Sequence, residues 1–263
     1  RVELTRGVND FTITFTPDPG YRPGERQVMA AWDRELLRYV ESWAPVSLTH
    51  SVVYHSYDAP QLHVAPGGSF LGSGTTDNPL DLDTALWFAK PGQPIVLAGG
   101  TYHPTLAVVI PRGTDGTAAA RRVLKSAPGE RAVFDFSSAA GGFQLWGDYW
   151  TIDGIEVHGT VGNVKGIQVG GNNNVLSNIT THHCGDTGLQ ISGTSTEPFE
   201  RWPRNNLVIN CTSHDNFDPA ANNADGFAAK LTCGEGNVFR GCVAYSNIDD
   251  GWDLYSKIDT GPI

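Results

Sequence analysis

Asp225, Asp249, Asp250 and Asp253 are the residues whose type and spacing could do chemistry in this chain. They stand in Asn223-Ala224-Asp225-Gly226 and Asp249-Asp250-Gly251-Trp252-Asp253, within sequence that repeats. Gly226-Phe227-Ala228-Ala229 and Gly251-Trp252-Asp253-Leu254 read as two copies of one short strand, 25 residues apart. If the copies stack, Asp225 lies over Asp250 with Cα atoms roughly 5 Å apart, Asp249 sits in the same turn, and Asp253 points outward beside Ala228. Four carboxylates so placed on an outer surface repel one another unless a cation joins them. Calcium takes about six to eight oxygens, so this set with water and substrate oxygens would complete its shell. A lone Asp-Asp-Gly is ordinarily a solvated turn; two stacked Asp-Gly turns and an outward Asp on one strand are not.

The elements that must position these residues also repeat. Glycines at 166, 188, 226 and 251 each open a short strand, at intervals of 22, 38 and 25 residues. The longest interval carries an insertion over Thr194 to Arg204. Asn174, Asn206 and Asn237 open a second repeat, which sets Ile179, Cys211 and Cys242 in one column. No unit can bury its own apolar face, and stacking units roughly 4.8 Å apart buries a continuous interior. That predicts an all-β parallel β-helix over residues 61–263, with the asparagines as an internal ladder. It excludes nine-residue calcium rolls, and leucine-rich repeats because no helix recurs. Asp81 to Ala89 reads as a short helix ended by Pro91-Gly92. Residues 1–60 do not repeat. Phe11, Ile13 and Phe15 alternating with threonines predict a strand, 26–43 an amphipathic helix with Trp32 and Trp43 on its core stripe, and Val46 to Tyr57 a strand. This is an N-terminal α/β extension or the end of a preceding domain, without chemistry of its own.

With 31 Gly, one Met and 17% charged residues among 263, the composition is that of a turn-dense, secreted β protein. A net charge of −10 argues against nucleic acid or an anionic membrane, and no apolar run could span a bilayer. The four cysteines are too widely spaced for a zinc motif or a disulfide scaffold and read as buried thiols. Asn178 and Asn210 head glycosylation triplets but fall at repeat turns. The chain opens at Arg1 and is expected to be a processed or excised piece.

Residues 223–231, 236–240 and 249–254, with Tyr245, Gly171 to Asn174, Thr181-His182-His183 and Asp186 to Gln190, closely resemble the family nine polysaccharide lyases, from about His63 to Ile263. The resemblance implies a right-handed parallel β-helix. It also implies catalytic Ca2+ on Asp225, Asp249, Asp250 and Asp253, and cleavage of a uronate polymer such as pectate by β-elimination. The C5 proton of a uronate is weakly acidic while its carboxylate keeps full negative charge, and calcium relieves that charge. Calcium would also join an acidic protein to an acidic polysaccharide.

The sequence departs from the family at the base. That lysine lies on a later coil, so it is expected beyond Ile263, on a longer chain or on a second chain or segment completing the β-helix. Lys230 and Lys257 are candidates for contact with substrate carboxylates, against the plainer reading of exposed, solvated charges. Rivals stay open: a polygalacturonase-type hydrolase, which would lack its Gly-His-Gly and leave Asp253 unexplained; a calcium-dependent glycan-binding solenoid without catalysis; and a structural shaft without calcium affinity.

Overall fold

A computed structural model describes residues 2–16 and 45–255. The chain divides into two compact units, residues 1–56 and 57–263. In the first, Gly7–Phe15 and Val46–Tyr54 form an antiparallel pair running from Gly7↔Tyr54 to Phe15↔Val46. The helix expected over 26–43, with Trp32 and Trp43, lies outside the described residues, as does Lys257.

The second unit is a parallel β-helix. Its coils feed three parallel sheets, of seven, six and six strands. One coil shows the pattern: Trp150–Asp153 joins the seven-stranded sheet, Ile155–His158 the second, and Ile167–Val169 the third. The third runs from Val108–Ile110 to Trp252–Asp253 and is called the site sheet below. Its strands are mostly three residues long, so two side chains point inward and one outward. Ile167 and Val169 are therefore buried about a half-exposed Gln168. Burying such an aliphatic side chain contributes ~1.5–3 kcal/mol. Summed over the coils, this holds together units that no local contact would.

Short strands require tight turns. Between the first two sheets Asn178 and Asn210 take φ of 54° and Gly241 takes 62°, the left-handed conformation that Asn and Gly adopt most readily. The glycosylation-like asparagines are thus turn residues. The internal ladder is present: Asn174 Oδ1 accepts from Trp150 N (2.7 Å), Asn206 Oδ1 from Asn174 N (2.9 Å) and Asn237 Oδ1 from Asn206 N (3.1 Å). Each amide also donates to a turn carbonyl, so buried backbone groups are paired where the coil bends.

The one α-helix among the described residues of this unit, Leu82–Phe88, is capped by Asp81, whose side chain accepts from Thr84 N at 2.8 Å. Ala85 and Leu86 join the core beside Leu62 and Ile95. Cys184, Cys211 and Cys233 are buried free thiols, and Cys242 is half-buried.

Candidate metal and substrate site

The site stands at the end of the site sheet where its strands begin. Phe227 pairs with Trp252 and Ala228 with Asp253, so the register deduced from the repeat holds. Gly188 N donates to Asp225 O and Gly226 N to Asp250 O, each at 2.9 Å, which stacks the Asp-Gly turns on successive coils. Glycine is required there: a Cβ on Gly226 would come within 2.8 Å of Ala244 Cβ and Gly251 O.

Carboxylate oxygens of Asp225, Asp249 and Asp250 lie within 4.8 Å of one another. Asp249 and Asp250 are exposed, whereas Asp225 is fully buried, which corrects the expectation that all four carboxylates sit on the outer surface. The strand turns in just after Asp225, and its carboxylate is enclosed by partners. Thr187 Oγ1 donates to Oδ2 at 2.9 Å and Asp250 N to Oδ1 at 3.3 Å. Burial, then the charges of Asp225 and Asp250, push the Asp249 carboxyl up from its ordinary range.

Asp253 is held differently, through Lys230. The Lys230 ammonium donates to Asp225 Oδ2 at 2.6 Å and to Asp253 Oδ2 at 2.9 Å. Lys230 stands two residues beyond Ala228, and Asp225 three residues before it, so the lysine reaches back along its own strand to Asp225. The exposed, solvated lysine expected from sequence is in fact buried between two carboxylates. Burial alone would lower its pKa, but its bonds to Asp225 and Asp253 outweigh that and hold it above the ordinary value.

The donor set fits a hard divalent cation: oxygen ligands only, from adjacent turns, with one buried carboxylate already demanding a positive partner. Lys230 supplies that partner here, which shows where positive charge is wanted.

Several positioning residues escaped the sequence reading. Asp218 is buried, and its Oδ1 accepts from the backbone of Asn222, Asn223 and Ala224 at 2.9–3.0 Å, closing the loop that delivers Asp225. Burial raises its pKa, yet these backbone donors prevail and keep it low. A second asparagine ladder lies alongside: Asn216 Oδ1 accepts from Cys184 N at 3.0 Å, and Asn247 Oδ1 from Asn216 Nδ2 at 2.8 Å. Asn216 Nδ2 also reaches Asp225 O at 3.3 Å. The signal was available, because Asn216 and Asn247 repeat at the same 31-residue spacing as Asn206 and Asn237.

The second unit is a parallel β-helix whose stacked Asp-Gly turns gather carboxylates, and comparison with known proteins gives its family. Residues 62–262 match the Pel9A-like right-handed β-helix region, and the chain belongs to that family, that of the family nine polysaccharide lyases. It is 46% identical to a pectate lyase L of Thermoclostridium stercorarium over 97% of this chain and 19% of that protein. It is 36% identical to a pectate disaccharide-lyase of Dickeya chrysanthemi over 98% of this chain and 30% of that protein. The crystal structure of pectate lyase Pel9A superposes with a TM-score of 0.64 at 33% identity, covering 75% of this chain and 50% of that one. This chain thus spans half or less of the length of each of these proteins. Among the described residues no helix is long and apolar enough to cross a membrane.

Proposed function

We propose that this chain carries the calcium site of a lyase that cleaves pectate or a related acidic polysaccharide by β-elimination, outside the cell. The observation that carries the reading is the carboxylate group of Asp225, Asp249 and Asp250 on two stacked turns, with Lys230 already bridging Asp225 to Asp253. The names of the relatives, pectate lyase and pectate disaccharide-lyase, support the substrate class.

In this reading Asp225, Asp249, Asp250 and Asp253 hold Ca2+. Calcium held there would offset the charge of a uronate carboxylate and so make its C5 proton easier to remove. Thr187 and the Asp250 amide fix the Asp225 carboxylate, and the Asp218-closed loop keeps that turn rigid. Lys230 neutralises the buried Asp225 and ties Asp253 to it. Lys230, and Lys257 outside the described residues, remain candidates for meeting substrate carboxylates. In this reading the proton acceptor is a lysine on a later coil, a role given to neither Lys230 nor Lys257.

The test is the ultraviolet absorbance of the unsaturated product on polygalacturonate, measured on a protein that carries the later coil together with this chain. The expected result is a rise that a chelator abolishes and calcium restores. No rise from such a protein, folded and calcium-loaded, would overturn the lyase reading. A second reading, calcium-dependent glycan binding without turnover, is favoured by one observation: the described lysine nearest the carboxylates, Lys230, is engaged by two of them. Binding without product would select it. Reducing ends without the chromophore would select the hydrolase.

A further inference from the structure

The outward column of the site sheet continues from the acidic turns toward the N-terminal coils. Its register is Gln144↔Gln168, Gln168↔Gln190, Gln190↔Ala228 and Ala228↔Asp253. Three amides therefore stand one rung apart, leading to Ala228 and then Asp253. At roughly 4.8 Å per rung the whole column is about 19 Å long.

Two independent features make this column more than a polar surface. The first is an orphan: Gln190 is 1% exposed, its Nε2 donates to Ser192 Oγ at 2.9 Å, and its Oε1 has no partner. Turning the amide over would leave the other end alone, so one end of a buried amide waits for a partner on either assignment. The second is a cavity of about 220 Å³ at the far end of the column. It is lined by Gln144 and Gln168, with Asn163, Lys165, Gly141 and Gly142 at the turn. Lys165 occupies the position before its strand-opening glycine that Asp225 and Asp250 occupy before theirs, two and three coils on. Its ammonium meets Asp186 Oδ2 at 2.9 Å, which holds a positive charge at the cavity rim.

The opposite edge has a built wall. The insertion after Leu189–Ile191 sends Glu197 back to Arg112, where Nε meets Oε1 and Nη2 meets Oε2, both at 2.7 Å. Arg112 follows Val108–Ile110, so the insertion crosses the ends of the two strands between. Under it Arg112 covers the Trp146 ring at 5.2 Å, and Trp146 Nε1 donates to Gln144 Oε1 at 3.1 Å. Gly170 lets that ring lie flat on the next coil, because a Cβ there would fall 2.0 Å from the indole.

We infer that Gln144 and Gln168, the accessible amides of this column, form with the buried Gln190 behind them an axial track for the sugar rings of an acidic glycan, which lies along the helix axis with one uronate at the acidic turns and a second carboxylate toward Lys165. Planar amides offer a donor and an acceptor to the hydroxyls and ring oxygens of successive sugars. The insertion wall limits how wide a substituted chain can be. This inference rests on the function proposed above.

Calorimetry with unsubstituted oligogalacturonates of increasing length, in calcium, tests it without needing turnover. Affinity should rise with length until the track is filled. Gln168→Ala should weaken long oligomers about tenfold while leaving a dimer nearly unaffected. Gln168→Glu, isosteric but anionic, should weaken them more. Gln144→Ala should act only on oligomers long enough to reach the cavity, and KM should rise with kcat little changed. Equal affinity of wild type, Gln144→Ala and Gln168→Ala for every length would overturn the track. Gln168-dependent binding without any unsaturated product would uphold the track and sink the proposed catalysis. Cleavage indifferent to both glutamines would do the reverse, and no binding at all would sink both.

Discussion

Two outer columns run along this β-helix with the same rung spacing, and they differ in what they leave unsatisfied. On the second sheet the rings of His158, His182, His214 and Tyr245 stack face to face, with centroids 4.9, 5.1 and 4.7 Å apart and planes within 11°. Their polar atoms have partners as well: His182 meets Glu156 and His183, and His214 meets Asp215. Each ring covers the next, so the column closes on itself. The site-sheet column does not, for it keeps an unpaired buried amide, a cavity and a carboxylate cluster. Regular repetition builds both columns, and only unmet polar demand marks one as a place for a ligand.

The comparison breaks most sharply at the turns. Asp225→Asn keeps the shape of the carboxylate but removes its charge, and Asp250→Asn does the same at an exposed position where folding is not at stake. Each should abolish measurable calcium binding by calorimetry and reduce lyase activity by about a thousandfold. His182→Gln, on the other column, should leave both within about twofold. Calcium affinity retained in both aspartate variants would remove the metal from this site.

Lys230→Met tests the tethered cation. It leaves Asp225, fully buried, without its ammonium, and breaking a buried pair from one side costs about 3–5 kcal/mol. Thermal denaturation in chelator should show that loss. Added calcium should then raise the melting temperature of the variant more than that of the wild type, because an ion would replace the missing ammonium. Equal shifts would mean that ion and ammonium do not serve the same carboxylates.

The fold was legible because its signals are periodic. The strand-opening glycines, the Asn174-Asn206-Asn237 ladder and the Asp225-over-Asp250 register follow from spacing alone, and the coils place each as spacing requires. The environment of each site residue was less legible. Burial of Asp225 depends on a loop closed by Asp218, and that loop has no counterpart in the repeat. Lys230 reads as a solvated charge until its bonds to Asp225 and Asp253 are found. The wall over Trp146 depends on Glu197 returning to Arg112 across 85 residues of sequence, a contact that no local pattern announces. Repetition dictates position along the axis; what lies over a residue comes from insertions, which do not repeat.

The closed ladder inside the helix gives a contrast in stability. Asn206→Ala would strip partners from Asn174 N and Gly171 O, both buried, at about 2 kcal/mol by denaturant titration. Gln168→Ala lies on the open column and should cost under about 0.5 kcal/mol. Similar losses at both positions would mean that the glutamine column is as structural as the asparagine one.

The smallest expected effect sharpens the reading of the histidine column as self-contained. Burial lowers the pKa of His182, the hydrogen bond from Glu156 opposes this, and the neighbouring His158 and His183 lower it further. The folded protein therefore holds fewer protons at this position than the unfolded chain does near the ordinary histidine value of about 6.5. Its stability contribution is present above that value and is lost as pH falls toward the lower folded one. His182→Gln removes the group, so in chelator the melting temperature should fall less steeply between about pH 7 and about pH 5 than in wild type. His158, His214, Glu156 and Asp135 also face this column and keep a residual slope. An unchanged slope would show that the stacked rings take up protons without straining the fold, leaving the column a surface ornament rather than a support.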